Sequence, residues 1–404
     1  MSYLTVVRNE IEDLKKIRGW ILLYGRRKVG KTFLLRNFIK WDEYITVRRD
    51  LSIRSEEIEV KNFKDLIVKV EKLLNKNFTV VIDEFQRLPE SIIEDLVRVY
   101  PNGKLILSGS SLGVARKIFS PKSPLLGFFT PYKLSLINPR DILLTLSKYY
   151  DPIKCIEISS YLRDPWLIPL YDGGNVIDFI YNYSCKYWQI VKALIGEVFA
   201  EEERTLTKTY EAILSLLGAR IWKIKDIANI LYAHGIISEP SSSQLGGFIR
   251  NLIEMDLIES IKIYNSKMKY FKLKSPIMET YYYLEYKYDV SERITSLSEV
   301  KPVLENLIRF ETENFIADLF AEYYNGRREY SLNPEIDFII TRRKNIIAIG
   351  EVKWGKYSRG DLRKFKLKVE NMPGIKIFIT KIKENDYYDN IRIIDANDII
   401  EMIK

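Results

Sequence analysis

The sequence predicts an α/β protein of several domains, and three stretches carry that expectation. Near the front, the apolar run Trp20–Tyr24 is followed by GRRKVGKT and then by the helical pattern FLLRNFI. A second apolar run, FTVVIDEFQRL, ends in Asp83–Glu84. Towards the end, EIDFII and NIIAIGEVKWGK read as two strands that carry Asp337, Glu351 and Lys353. Short apolar runs bounded by turn residues, alternating with helical periodicity, are the pattern of strands and helices in one layered fold.

At 404 residues, two to four domains are expected. With 47% hydrophobic residues there is apolar surface for several cores, so long disorder is not expected. No apolar run approaches the roughly 20 residues of a membrane helix. The opening MSYLTVVRNEIEDL brings acidic residues early and has no signal-peptide core, which makes a cytoplasmic location the expectation and a membrane partner unexpected. Cys155 and Cys185 give neither a disulfide framework nor zinc spacing, and read as buried thiols. The single histidine, His234, precedes Gly235 in a turn pattern and reads as a surface residue. Histidine-centred catalysis is thereby excluded, leaving carboxylates, lysines, hydroxyls and bound metal. A net charge of +9 favours a polyanionic partner.

In chain order, Gly25, Gly30, Lys31 and Thr32 fit G-x-x-x-x-G-K-[ST] between a strand and a helix, the signature of a P-loop NTPase. The loop residues Gly25, Arg26, Arg27, Lys28, Val29 and Gly30 would wrap backbone N–H groups around the phosphates of ATP or ADP. Lys31 would hold the β- and γ-phosphates and Thr32 would ligate Mg²⁺. Asp83, ending a buried strand, would hold the same Mg²⁺, and Glu84 would act as the catalytic carboxylate that polarises water. KLILSGSS is a third core strand ending in hydroxyls at Ser108 and Ser110, where a γ-phosphate sensor would stand, with Ser108 as the expected nucleotide contact. Residues 1–137 are assigned to this core. Residues 138–203 are helical in pattern and expected to form a lid beside the nucleotide.

Residues 204–275 read as a winged helix-turn-helix. Helices end at Gly218 and Gly235, a third helix follows the Ser-rich cap SSSQ, and two strands flank Asn265–Ser266. Ser242, Ser243, Gln244 and Arg250 would face bases or phosphates of DNA, with Lys267 and Lys269 reaching from the wing. From Arg204 to Lys274 there are 11 basic and 6 acidic residues, which tilts this segment towards DNA and away from pure packing. An aromatic helix, METYYYLEYKYD, connects it across residues 276–300 to the last unit, residues 301–404.

There, alternation along the strand puts Glu351 and Lys353 on one face, so the two are either an ion pair or part of an active site. With Asp337 on the preceding strand they fit the D…E-x-K pattern of restriction-endonuclease-like PD-(D/E)xK nuclease folds. Asp337 and Glu351 would bind Mg²⁺, Lys353 would orient water, and Glu311 on the preceding helix would add a carboxylate. Seven basic residues and one acidic residue lie between Lys353 and Lys368, as suits a phosphate backbone.

YGRRKVGKT, IDEFQRL, SGSSLG and the leading VRNEIEDL together resemble the archaeal P-loop ATPases of the AAA+/STAND kind, whose chains carry a winged helix and a C-terminal nuclease-like domain. The resemblance implies Mg²⁺-dependent ATP hydrolysis, DNA as a partner and a homo-oligomer or partner protein. It also implies an arginine in S-P-L-x-G-R where this chain has Phe128, with Arg116 and Arg140 as weak substitutes. A Gly-x-Pro element of the family survives only as Pro165. The rival functions are a STAND-like nucleotide switch and an AAA+ DNA-remodelling ATPase, each with an inert nuclease fold.

Overall fold

The computed structural model describes residues 4–202 and 204–404. Its first unit runs α1 (Glu10–Lys16), β1 (Trp20–Tyr24), α2 (Lys31–Phe38), β2 (Glu43–Val47), β3 (Ile53–Ser55), α3 (Phe63–Asn75), β4 (Thr79–Asp83), α4 (Glu90–Leu96), β5 (Lys104–Gly109), α5 (Leu112–Ile118) and β6 (Phe129–Lys133). The strands form one sheet in the order β3-β2-β4-β5-β1-β6, parallel except for β3. Parallel strands are buried on both faces, which is why WILLY and LIL in KLILSG are unbroken apolar runs. On one face Trp20, Leu22, Ile82 and Leu107 meet α3, α4 and α5; on the other Ile21, Leu23, Val81 and Ile106 meet α1 and α2. Because β5 lies between β1 and β4, the ends of all three strands open beside the loop that precedes α2. That order positions the site.

The chain continues through helices only: α6 (Pro139–Leu146), α7 (Pro152–Leu162), α8 (Val176–Tyr181), a π-helical turn, and α9 (Trp188–Glu201). Asp151 and Asn175 cap α7 and α8, their carboxylate and amide oxygens accepting from first-turn N–H groups. Three further helices follow, α10 (Lys208–Gly218), α11 (Ile224–Ala233) and α12 (Ser242–Glu254), then the hairpin β7 (Ile258–Ile263) and β8 (Lys269–Leu273). After α13 (Pro276–Tyr288) and the long α14 (Leu297–Tyr323) come β9 (Arg327–Leu332), β10 (Glu335–Arg342), β11 (Asn345–Lys353), α15 (Arg359–Val369), β12 (Ile375–Thr380), β13 (Tyr387–Tyr388), β14 (Ile391–Ile394) and α16 (Ala396–Ile403).

Sequence reasoning treats the hairpin as part of one unit and β9 onward as another. In the structure they form a single eight-stranded sheet, β13-β14-β12-β11-β10-β9-β7-β8, joined by parallel pairing of Lys262 and Ile263 with Glu329 and Tyr330. The Lys262 ammonium also bonds the Glu329 carboxylate at 3.1 Å across the join. One core runs from α6–α9 through α10–α14 to the face of this sheet that carries Phe338 and Ile377.

Buried ionic contacts fasten the first unit to the rest. The Arg26 guanidinium donates to both oxygens of Asp164 at 2.9 and 3.0 Å, and Ser275 Oγ donates to the same carboxylate at 2.6 Å. Arg26 and Asp164 are 2% and 0% exposed, so loss of either partner strands a buried charge, at about 3–5 kcal/mol. Asp256 collects Lys133 at 2.6 Å, Lys274 at 2.7 Å and Ser135 at 3.0 Å, tying β6 to the hairpin. Burial raises the Asp256 carboxyl, but the two ammonium groups outweigh it and hold the group at about 2. Among the described residues, no helix is long and apolar enough to cross a membrane.

Candidate functional site

The loop between β1 and α2 is shaped by two glycines. A Cβ on Gly25 would lie 2.0 Å from the carbonyl oxygen of Leu134, so only glycine lets the chain leave β1 there. Gly30 has φ +93°, the left-handed region that glycine enters at little cost, and it turns the chain into the first turn of α2. From that turn Lys31 points back over the loop, its Nζ donating to the carbonyls of Gly25 at 2.7 Å and Arg26 at 3.1 Å. Burial pulls its ammonium down to about 8, against the favourable charges of Glu84, Asp83 and Glu201.

Thr32 Oγ1 and Tyr44 OH both donate to Asp83 Oδ2, at 2.7 and 2.8 Å. Thr32 and Asp83 therefore share one point, where a divalent cation could take both as oxygen ligands. Glu84 adopts φ +61°, and its Oε2 accepts from Gln86 Nε2 at 2.8 Å and Arg87 Nη2 at 2.9 Å. Burial raises its carboxyl, and Arg87 opposes that shift. A cavity of about 590 Å³ opens over the loop. Lys31, Thr32, Glu84, Arg27 and Ser110 line one part of it, and Val6, Ile11, Phe38, Ile137 and Trp166 supply apolar lining. Arg8 braces the loop, donating to the carbonyls of Val29, Ser135 and Leu136 at 3.1, 3.0 and 3.3 Å.

Not every loop residue expected to meet the nucleotide does so with its side chain. Arg27, Lys28, Val29 and Gly30 line the cavity, whereas the Arg26 side chain turns away to Asp164. Ser108 stands beside Asp83 in register, fully buried, with its Oγ lacking a hydrogen-bond partner. Ser110 is the hydroxyl that reaches the cavity. The helices before residue 203 supply groups that sequence reasoning did not single out. Glu197 and Glu201 of α9 accept from Arg27 at 2.6 and 3.0 Å, and Glu202 accepts from the N–H groups of Leu112 and Gly113 at the start of α5. Pro165 lines the cavity beside Gly30.

Phe128 packs edge-on against Tyr100 at 5.2 Å, beside Trp20 at the opposite end of β1 from the loop. It has no bearing on the phosphate end. Arg140 is not a substitute for an arginine there, because its Nε donates to the carbonyl of Ile403 at 3.2 Å. The side chain of Arg116 lies outside the described residues.

In the C-terminal sheet, β10 and β11 run antiparallel with Phe338 opposite Gly350, which sets Asp337 beside Glu351. Asp337 Oδ2 accepts from the backbone N–H of Val352 at 2.7 Å. Burial and then the Glu351 charge push its carboxyl up to about 6. Glu351 does not pair with Lys353. It accepts from Lys368 of α15 at 3.0 and 3.2 Å, and Lys353 is exposed.

Of the two α14 carboxylates it is Glu313, not the expected Glu311, that feels the charge of Asp337. Burial and the Asp337 charge push Glu313 up to about 8, with Lys353 and Arg220 opposing and Glu351 adding to the rise. Glu311 faces elsewhere: Lys272, itself buried, lies 3.4 Å from both Glu311 and Glu279. Asp337 and Glu313, raised by burial first and by neighbouring carboxylate charge second, are hard oxygen donors whose crowding a divalent cation would relieve. Among the described residues, no three His, Cys, Asp or Glu side chains stand close enough to hold one in the present arrangement.

The residues expected to meet DNA lie on one unit. Ser242 and Ser243 open α12 and are exposed, Gln244 donates to Ser238 Oγ at 2.9 Å, and Arg250 is exposed one side further along. Lys267 and Lys269 are exposed at the hairpin turn. His234 is exposed, and Cys155 and Cys185 are buried free thiols that burial pushes up to about 12.

A Gly-rich loop between strand and helix, Asp83–Glu84 at the end of β4, and β5 interposed between β4 and β1 give the first unit the strand–loop–helix arrangement of a P-loop NTPase fold. Residues 18–127 match the family model described as an AAA domain. An uncharacterized protein of Methanocaldococcus jannaschii is 23% identical over 393 residues, covering 85% of each chain. Among solved structures, the chain is similar to the Aeropyrum pernix ORC2 protein in its ADPNP–ADP complexes, with TM-score 0.42 and 13% identity over 77% of this chain and 95% of that one. It is also similar to a signal transduction ATPase with numerous domains from Pyrococcus horikoshii, with TM-score 0.31 and 14% identity over 78% of this chain and 48% of that one. A third is the Aeropyrum pernix ORC1 protein in complex with DNA, with TM-score 0.30 and 14% identity over 72% of this chain and 95% of that one.

Proposed function

We propose that the protein binds and hydrolyses Mg²⁺·ATP, and that nucleotide state governs DNA contacts and cleavage by its C-terminal half. The observation that carries the reading is the cavity in which Lys31, Thr32, Glu84, Arg27 and Ser110 converge. Lys31 and the loop N–H groups hold phosphate oxygens, Thr32 and Asp83 hold Mg²⁺, and Glu84 accepts a hydrogen bond from water. The cation neutralises phosphate charge when bound. Residues 138–203 serve as the lid, 204–275 as a winged helix, 276–300 as its connection, and 301–404 as a PD-(D/E)xK nuclease with Asp337, Glu351, Lys353 and Glu313. The buried Arg26–Asp164–Ser275 contact offers a path between the loop and the C-terminal half. ATP hydrolysis by the purified chain, with and without DNA, tests the reading; its absence under both conditions would remove it.

A second reading, a nucleotide switch or DNA-remodelling ATPase with an inert nuclease fold, draws on one observation: the Lys368 ammonium already neutralises Glu351. Nicking assays in Mg²⁺ separate the two.

Two expectations follow from charge. Lys31 sits near pKa 8 in the free protein, and bound phosphate favours its charged form, raising that value. Binding therefore takes up a proton above pH 8, and ATP affinity falls as pH rises beyond it, by up to about one log unit per pH unit. Below pH 8 this group adds no dependence. Calorimetry in buffers of different ionisation enthalpy reads the proton directly; no uptake at pH 9 would contradict it. For the hairpin, Lys267→Ala with Lys269→Ala is expected to weaken DNA binding and to reduce the log–log salt slope by about one unit per lost phosphate contact. Equal slopes in the variant and the wild type would show that the hairpin leaves the backbone untouched.

A further inference from the structure

The α9 carboxylate of Glu201 does not simply pair with the phosphate loop. Its Oε1 accepts from Arg27 Nη1 at 3.0 Å, and its Oε2 accepts from Ser110 Oγ at 2.9 Å and from Gln86 Nε2 at 3.1 Å. Arg87 approaches at 3.8 Å. Two of those donors, Arg27 and Ser110, line the cavity beside Lys31 and Glu84. Gln86 bridges Glu201 to the Glu84 carboxylate. Glu201 is only 12% exposed, so its charge depends on these donors. Its field also reaches both Lys31 and Glu84.

We infer that Glu201 stands in for a terminal phosphate: it occupies the donors that a nucleoside triphosphate would use and thereby biases the protein towards the diphosphate. The inference rests on the nucleotide reading above and adds to it the residue that discriminates between the two ligands. Donors clustered around two carboxylate oxygens are equally suited to phosphate oxygens. A γ-phosphate brought to them meets a like charge in a partly buried site, so it must displace Glu201 or forgo Arg27, Ser110 and Gln86. A diphosphate ends before that conflict arises. Displacement has two consequences within this chain. It releases Gln86 from Glu201, leaving the Gln86 amide to donate to Glu84 and Ser110. It also pulls on the end of α9, where Glu202 holds the first N–H groups of α5.

The test is equilibrium titration of the full chain with ADP and with a non-hydrolysable ATP analogue, both in Mg²⁺. Glu201→Gln keeps the side chain's shape but removes the charge and replaces one acceptor oxygen with an NH2 that cannot accept from Arg27, Ser110 or Gln86, and is expected to raise the triphosphate-to-diphosphate affinity ratio by about tenfold. Glu201→Asp draws the carboxylate back by one methylene and is expected to raise the ratio by less. Glu197→Gln loosens Arg27 without freeing Ser110 or Gln86, and is expected to shift it less than Glu201→Gln. A purely structural role would change melting temperature and both affinities together, leaving the ratio fixed. An unchanged ratio in whichever Glu201 variants fold, with ADP still bound, overturns the inference and leaves the nucleotide site standing. Failure of the wild type to bind either ligand overturns the nucleotide reading and this inference with it.

Discussion

Lys31→Ala is expected to lower ATP affinity by about a hundredfold or more, the largest single effect on this protein. Its ammonium now donates to the carbonyls of Gly25 and Arg26, at the centre of the loop a phosphate would enter. Turning that donor to two phosphate oxygens makes two charge-assisted bonds, each worth about 1.5–3 kcal/mol. Without it, the nearby carboxylates Glu84, Asp83 and Glu201 face the phosphates uncompensated. Glu84→Gln is expected to behave differently. The amide still fits beside Gln86 and Arg87, so binding persists, but it accepts a proton poorly and turnover falls by about 10²–10⁴. Thermal melting separates the two, since ATP raises the melting temperature of any variant that binds it. An ATP-induced shift in Lys31→Ala equal to that of wild type would exclude the assignment.

The second large effect concerns the C-terminal carboxylates. Asp337→Ala, Glu351→Ala and Lys353→Ala are each expected to reduce Mg²⁺-dependent DNA cleavage by about a hundredfold or more, with ATP binding intact. Glu313→Gln is expected to reduce it as well, whereas Glu311→Ala should not alter cleavage per folded molecule. Its cost is stability, about 3 kcal/mol, because it leaves Lys272 in a buried cluster with one fewer counter-charge. Plasmid nicking in Mg²⁺, in EDTA and after Mg²⁺ is restored, alongside melting curves, reads both. Cleavage that survives in Asp337→Ala, or a wild type that cuts no DNA form under any nucleotide condition, would leave the sheet a binding or structural element.

The strand, glycine-shaped loop and helix around Gly25–Thr32 were legible from sequence because their signals are local. A strand, a glycine that must take positive φ and a helix N-terminus lie within about fifteen residues, and each has a backbone reason for its residue type. Asp83–Glu84 and the serines of SGSS were legible for the same reason, although which serine reaches the cavity depended on strand alternation and packing. The three helices and hairpin between Lys208 and Leu273 announce themselves through periodicity and the glycines at Gly218 and Gly235.

Tertiary structure alone decided which charges meet. Glu311 and Glu313 are two residues apart, about 200° around a helix, and both sit in an unbroken helical pattern. Only the packing of α14 against both the hairpin and the sheet turned one to Lys272 and the other to Asp337. Glu351 meeting Lys368 in place of Lys353, and Arg26 meeting Asp164, join residues whose separation along the chain leaves no periodic trace. The pairing of β7 with β9 likewise depends on backbone edges that any strand offers. Local pattern fixes what a segment becomes, because backbone preference and periodicity act within a few residues. Which of its faces is used depends on the surface that folding brings against it, and that surface comes from elsewhere in the chain.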